Sequence, residues 1–299
     1  MPISRREFLR TGTLATGAVL SQHGGGKLAF TQARPALDPN TLTPFVDALP
    51  IPALARSNGS RSIAENSGIK IPYYRVPMRA FETSVHRDMK PTRMWGFGGM
   101  FPGSTFDLAS GQAVLVEWAN ELPREHFLPI DHTLHGAEAD QPAVRAVAHL
   151  HGGKVPPDSD GYPENWIVPG KSAVYHYPNQ QEAAMLWYHD HAMGINRLNT
   201  FAGLAGAYIL RDKDEDVLRL PSGKYEIPLV LCDRMFDKDG QLYYPVSDKA
   251  ESPWIPEFFG NANLLNGKLF PFLEVGPRKY RFRVLNASNG RFCHLSLSN

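Results

Sequence analysis

From about residue 70 onward, short apolar or alternating runs recur along the chain, each cut off by Gly, Pro, Asn or Asp. Runs of this length, rich in Val, Leu and aromatic residues, predict strands rather than helices. The pattern places them at 112–120, 144–151, 172–177, 184–191 and 203–211, then at 226–233, 278–286 and 292–297. Helical periodicity is nearly absent. Between residues 37 and 90 the chain is proline-rich and reads as irregular, with Tyr73-Tyr74-Arg75-Val76 as its one strand. The glycine-rich stretch from Trp95 to Gly103 lacks the spacing of a phosphate-binding loop and reads as a turn. Many short strands between turn residues predict an all-β protein of the Greek-key sandwich type.

A charged segment at 212–221 reads as a linker between a first domain, 37–213, and a second, 222–299. The chain stops at Asn299, just after a predicted strand, which would leave the second sheet short of partners. The expectation is therefore that the second domain is incomplete and that this is the N-terminal part of a longer protein. At the other end, Ser4-Arg5-Arg6-Glu7-Phe8-Leu9-Arg10 has the form of a twin-arginine export signal. The modestly apolar segment 11–20 that follows is too short to span a bilayer. Residues 1–33 are set aside as this signal, which predicts the Tat export machinery as a partner and a periplasmic or secreted location. That route carries proteins folded before crossing, often with cofactor bound, and so suits a metalloprotein.

Composition removes several functions. A formal net charge of +1 gives no electrostatic case for binding nucleic acid or a membrane surface. Cys232 and Cys293 are too few for a disulfide framework; each is either half of a single bridge or a free thiol.

Two histidine pairs carry the candidate chemistry. His149 and His151 stand in His-Leu-His-Gly-Gly, and His189 and His191 in Trp-Tyr-His-Asp-His, both within predicted strands. Residues at i and i+2 of a strand share a face, their Cβ atoms roughly 6 to 7 Å apart. Two such strands side by side would bring four imidazoles to one cavity. Neutral imidazoles suit Cu, Zn, Fe or Ni, with Cu(II) binding most tightly. Ligand type alone leaves zinc open.

The strings HLHGG and WYHDHAM, the acidic loop Asp158-Ser159-Asp160-Gly161-Tyr162-Pro163-Glu164 and the run from Tyr175 to Gln181 resemble the first two copper motifs of multicopper oxidases. Within that family the chain is most similar to the spore-coat laccase and bilirubin oxidase branch, over most of the sequence after about Leu37. The resemblance implies cupredoxin-like domains. It implies that His149 binds a type 2 copper and that His151, His189 and His191 bind the paired type 3 coppers of a trinuclear centre. Asp160 matches an acidic position that supplies protons there, while His176 lies outside the ligand motifs. Trp187 and Tyr188 would pack around the second pair, with Asp190 as an orienting group on the opposite face.

The activity so implied is one-electron oxidation of a phenol, pigment or metal ion coupled to reduction of dioxygen to water. The family's type 1 copper requires a Cys between two histidines, and Cys293 has Phe292 before it, so that site and half of the trinuclear ligands are absent. The chain alone is accordingly expected not to turn over. The alternatives are a periplasmic copper-binding protein without turnover, a copper-free scaffold, and a two-domain enzyme of the nitrite reductase kind. The retained histidines argue against the scaffold, and the missing cysteine site against the nitrite reductase.

Overall fold

The computed structural model describes residues 36–63, 68–247, 249, 253–255 and 257–297, so the twin-arginine segment lies outside the described residues. The described chain is mostly β. Its strands are β1 (Ser60–Ser62), β2 (Lys70–Thr83), β3 (Thr92–Phe97), β4 (Gly103–Ala109), β5 (Val114–Asn120), β6 (Ala148–His151), β7 (Ser172–Tyr177), β8 (Ala184–Asp190), β9 (Ala205–Arg211), β10 (Glu226–Arg234), β11 (Ala262–Leu265), β12 (Lys268–Leu269) and β13 (Arg281–Asn286). Two short helices, α1 (Asn196–Ala202) and α2 (Lys213–Val217), accompany them.

Three sheets result. The first runs β1-β2-β5-β7 with β3 also paired to β2, the second β4-β9-β8-β6, and the third β12-β11-β10-β13. Aromatic side chains join the first two. Tyr188 of β8 meets Trp118 of β5 at 5.2 Å between ring centroids and Phe97 of β3 at 5.0 Å. Phe106 of β4 reaches the same Trp118 at 6.3 Å. Such pairs contribute about 0.5 to 1.5 kcal/mol each beyond the area they bury, so this cluster anchors the sandwich.

The third sheet shares that core: Val230, Cys232, Leu264 and Leu269 belong to the same buried cluster as Tyr188 and Trp118. Arg234 joins it to α1, lying between the rings of Phe101 and Phe201 and donating to the carbonyl of Thr200. A second tie is ionic. Glu215 and Glu226 collect Arg211, Arg281 and Arg283 from β9 and β13.

Several sequence expectations need correction. The supposed irregular segment before residue 90 contains β2, a fourteen-residue strand that carries Pro72 and Pro77. Prolines demote a run to edge or non-strand, but here β1 pairs with Lys70 to Pro72 and β3 with Met78 to Thr83. Pro77 falls in the gap between these partners, where a missing N–H breaks no ladder bond. The glycine-rich turn is narrower than expected, since β3 ends at Phe97 and β4 begins at Gly103. Within the charged segment, α2 forms because the Asp212 side chain accepts from the backbone N–H of Glu215 and caps the helix. No strand forms at 292–297, where Phe292, Leu295 and Leu297 are exposed.

A histidine cluster on the β6–β8 ribbon

Strands β6 and β8 are antiparallel, with His149 opposite His189, His151 opposite Trp187 and Ala148 opposite Asp190. Opposite residues of such a pair lie close enough for their side chains to touch. Alternation then sends His149, His151, Trp187 and His189 to one face and Leu150, Tyr188 and Asp190 to the core. His191, just past the end of β8, continues the first face.

All four predicted histidines meet there. Ligand nitrogens of His149, His151 and His189 lie within 4.8 Å of one another. His191 joins by stacking on His149, with 4.6 Å between centroids and 21° between planes. Trp187 closes one side, its ring 4.0 Å from that of His189 and 5.3 Å from that of His151. The expectation that Trp187 and Tyr188 pack around the pair thus divides between the faces. Trp187 stacks on the cluster, while Tyr188 is buried in the core and donates to the carbonyl of Ser104.

Backbone carbonyls fix the imidazoles. The Nδ1 atoms of His149, His189 and His191 lie 2.5, 2.7 and 3.1 Å from the carbonyl oxygens of Asp160, Asp190 and Gly161. A carbonyl only accepts, so each Nδ1 carries the proton and each Nε2 keeps its lone pair for a metal. His151 instead donates from Nδ1 to Nε2 of His189, 3.1 Å away. Consecutive residues, Asp160 and Gly161, therefore orient the two stacked rings. That closeness demands glycine: Gly161 has φ +80°, and a Cβ there would lie 2.1 Å from the carbonyl oxygen of Ala148.

Burial pushes His189 down to about 3, and the neighbouring histidines push the same way. His151 is lowered by burial and by His149 and His191. Both are thus neutral near pH 7, the form that ligates. Asp160 approaches through its side chain as well, with Oδ1 3.6 Å from Nδ1 of His149 and the carboxylate half exposed. His176 lies elsewhere on β7, with Nε2 buried and no protein partner.

Asp190 is on the opposite face, fully buried, and accepts from the N–H groups of Val147 and Ala192 and from the Asn199 amide. Burial pushes its pKa up to about 7, opposed by these hydrogen bonds and by Arg145. The sequence offered no sign of Asn199 or of Gly161 as the close approach. A glycine after an acidic loop is too common to read.

The donor set fits copper. Four imidazoles, three with a preset lone pair, converge in a partly exposed cavity with no cysteine among them, and such ligands favour Cu(II) over the other divalent ions of the series. Fold and site together define a mostly β protein with a histidine cluster of metal-binding type on one face of a β-sheet.

The multicopper oxidase family model matches residues 142–215, the stretch holding both histidine pairs. A laccase of Bacillus subtilis is 49% identical over 87% of this chain and 52% of its own length. A laccase of Haloferax volcanii is 37% identical over 99% of this chain and 50% of its own. Among solved structures, a laccase from Pediococcus acidilactici superimposes with TM-score 0.64 at 27% identity, covering 83% of this chain and 48% of that one. The multicopper oxidase McoA from Aquifex aeolicus does so with TM-score 0.61 at 26% identity, covering 82% and 47%. The chain belongs to the multicopper oxidase family, a family of copper oxidoreductases with cupredoxin-like folds. It spans about half the length of the curated relatives it matches.

Proposed function

We propose that this chain supplies one half of the copper centre at which a laccase-like multicopper oxidase reduces dioxygen to water, using electrons from a small phenolic, pigment or metal-ion donor. The observation that carries the reading is the set of carbonyl-fixed imidazoles on one face of β6 and β8. His149 would serve a type 2 copper and His151, His189 and His191 the type 3 pair. Copper, when bound, supplies one-electron redox chemistry and the place where dioxygen is reduced. The chain's own residues do the rest. The carbonyls of Asp160, Asp190 and Gly161 keep each protonated Nδ1 turned away from the metal, and Trp187 excludes water from one flank. Asp160, half exposed beside His149, would pass protons from solvent towards the cluster.

Export through the twin-arginine pathway to the periplasm or beyond belongs to the same reading, supported by Ser4-Arg5-Arg6-Glu7-Phe8-Leu9. Neither cysteine stands between two histidines, so this chain by itself should bind copper without consuming dioxygen. The deciding experiment is metal analysis of the folded chain beside a variant carrying His151→Ala and His189→Ala. Copper in the parent and its loss in the variant support the site. Equal copper in both would remove it. Dioxygen uptake with a phenol above a copper-salt control would replace the half-site reading with a self-sufficient one.

A further inference from the structure

Behind the histidine face, one buried side chain is addressed from three directions. Asn199 on α1 is fully buried, and its amide nitrogen donates to Oδ2 of Asp190 and to the carbonyl of Arg145, both at 2.9 Å. Its amide oxygen is 3.1 Å from Nε2 of His126. Asp190 in turn holds backbone on both sides of the cluster: Oδ1 accepts from Val147, two residues before His149, and Oδ2 from Ala192, next to His191. His149 and His191 are the rings that stack.

An amide can turn over, exchanging its oxygen and nitrogen, and only its partners decide which way it stands. Two of the partners of Asn199, the Asp190 carboxylate and the Arg145 carbonyl, require a donor. A turned amide would press its oxygen against both. His126 is the partner that anchors the oxygen end of the amide and so reinforces the unturned orientation. Its Nδ1 accepts from the backbone N–H of Leu128 at 3.0 Å, so the ring proton is on Nε2 and points at the oxygen of Asn199. The ring is held in place by Trp95, 4.3 Å away, and by Phe127. Every proton in the series from Leu128 to Asp190 therefore has one direction.

We propose that His126 is a positioning residue for the copper centre: through Asn199 it fixes the direction of the hydrogen bonds to Asp190, and Asp190 sets the separation of His149 from His191. His126 touches no ligand and lies far from both histidine motifs in sequence. Burial lowers its pKa to about 4, which keeps the neutral tautomer that this arrangement uses. A structural account of the same residue would assign it only to the packing of Trp95 and Phe127.

This inference rests on the copper reading, and one set of proteins tests both. The full chain, His126→Leu, His126→Gln and the His151→Ala, His189→Ala variant are loaded with Cu(II) alone and compared by affinity and by the electron paramagnetic resonance spectrum. His126→Leu keeps bulk but has no donor, whereas His126→Gln restores an N–H. Loss of a group that orients a metal ligand typically weakens binding roughly 10- to 100-fold. The leucine variant should fall at the lower end, about tenfold, with altered copper hyperfine splitting, and the glutamine variant should recover both. Unchanged affinity and spectrum in a folded His126→Leu protein, beside a parent that loses copper with its histidines, overturns the positioning role and leaves the copper reading standing. Copper that the double histidine variant does not remove overturns both. Should His126→Leu fail to fold, Asn199→Ser, which keeps a donor for Asp190 and gives up the acceptor for His126, carries the same comparison.

Discussion

The two faces of the β6–β8 ribbon come from alternate residues of the same strands, yet different forces hold them. On the inner face Leu150, Tyr188 and Asp190 are buried almost completely, and Tyr188 is enclosed by Phe97, Phe106 and Trp118. On the outer face His149, His151 and Trp187 are partly open, and contacts at the ring nitrogens fix which way each imidazole stands. The inner face is held by area and the outer by direction. Packing energy scales with apolar surface removed from water, so the inner face contributes most of the stability. A hydrogen bond to a carbonyl contributes only about 1 kcal/mol net, but it sets which nitrogen faces the metal. Stability and chemistry are thus separable by substitution, although they share a backbone.

The largest effect should come from the inner face. Tyr188→Ala removes a ring from the centre of the aromatic cluster and should lower stability by about 3 to 5 kcal/mol, as core aromatic truncations do. Denaturant unfolding followed by tryptophan fluorescence measures this. The double histidine variant should shift the same midpoint by no more than about 1 kcal/mol while abolishing copper. A comparable loss of stability in both would break the comparison.

Gly161→Ala should give an intermediate result. A Cβ would meet the carbonyl of Ala148, and φ +80° is strained for alanine. Strain of this kind costs about 1 to 3 kcal/mol. Because the loop carries both the Asp160 and the Gly161 carbonyls, copper affinity should fall by more than that stability loss explains. Isothermal titration beside thermal melting separates the two quantities. A fall in stability with copper affinity intact would show that loop carbonyls do not set the ligand geometry.

The smallest effect concerns neither face. Burial raises the pKa of Glu215, but hydrogen bonds and charge from Arg281 and Arg283 outweigh it and leave the group below its ordinary value of 4.5. A carboxylate lowered in the folded state contributes stability that is present above its unfolded pKa and lost as pH falls through the folded value. Glu215→Gln should therefore flatten the acid limb of the stability profile below about pH 4.5. Copper content at pH 7 should stay unchanged. Loss of copper there would mean that the third sheet reaches the histidine cluster after all.

How legible was each part? The five strands predicted between residues 112 and 211 all appear, the one at 172–177 with its predicted ends and the others with an end shifted by a few residues, because alternation there follows burial on a single core. β2 was hidden by Pro72 and Pro77, which a local reading penalises; Pro77 is accommodated by the gap between β1 and β3, and Pro72 lies at the end of the β1 pairing. At 292–297 the apolar run is present, but no neighbouring strand pairs with it. The four histidines were readable because i, i+2 spacing is itself a geometric statement. Asp160 was readable as an acidic residue near the cluster. That its carbonyl is the atom holding His149 was not, since every residue has one.

The sequence by itself determined which side chains share a face of each strand, and with that the ligand type, the all-β class and the family. Those depend on periodicity and residue chemistry, which are local. Only the tertiary structure decided the register that sets His149 against His189, the loop that turns two carbonyls onto two rings, and the burial of His126 and Asn199 behind them. Register and burial arise from contacts between segments far apart in the chain. Their energies are sums over many partners, and no one residue displays them.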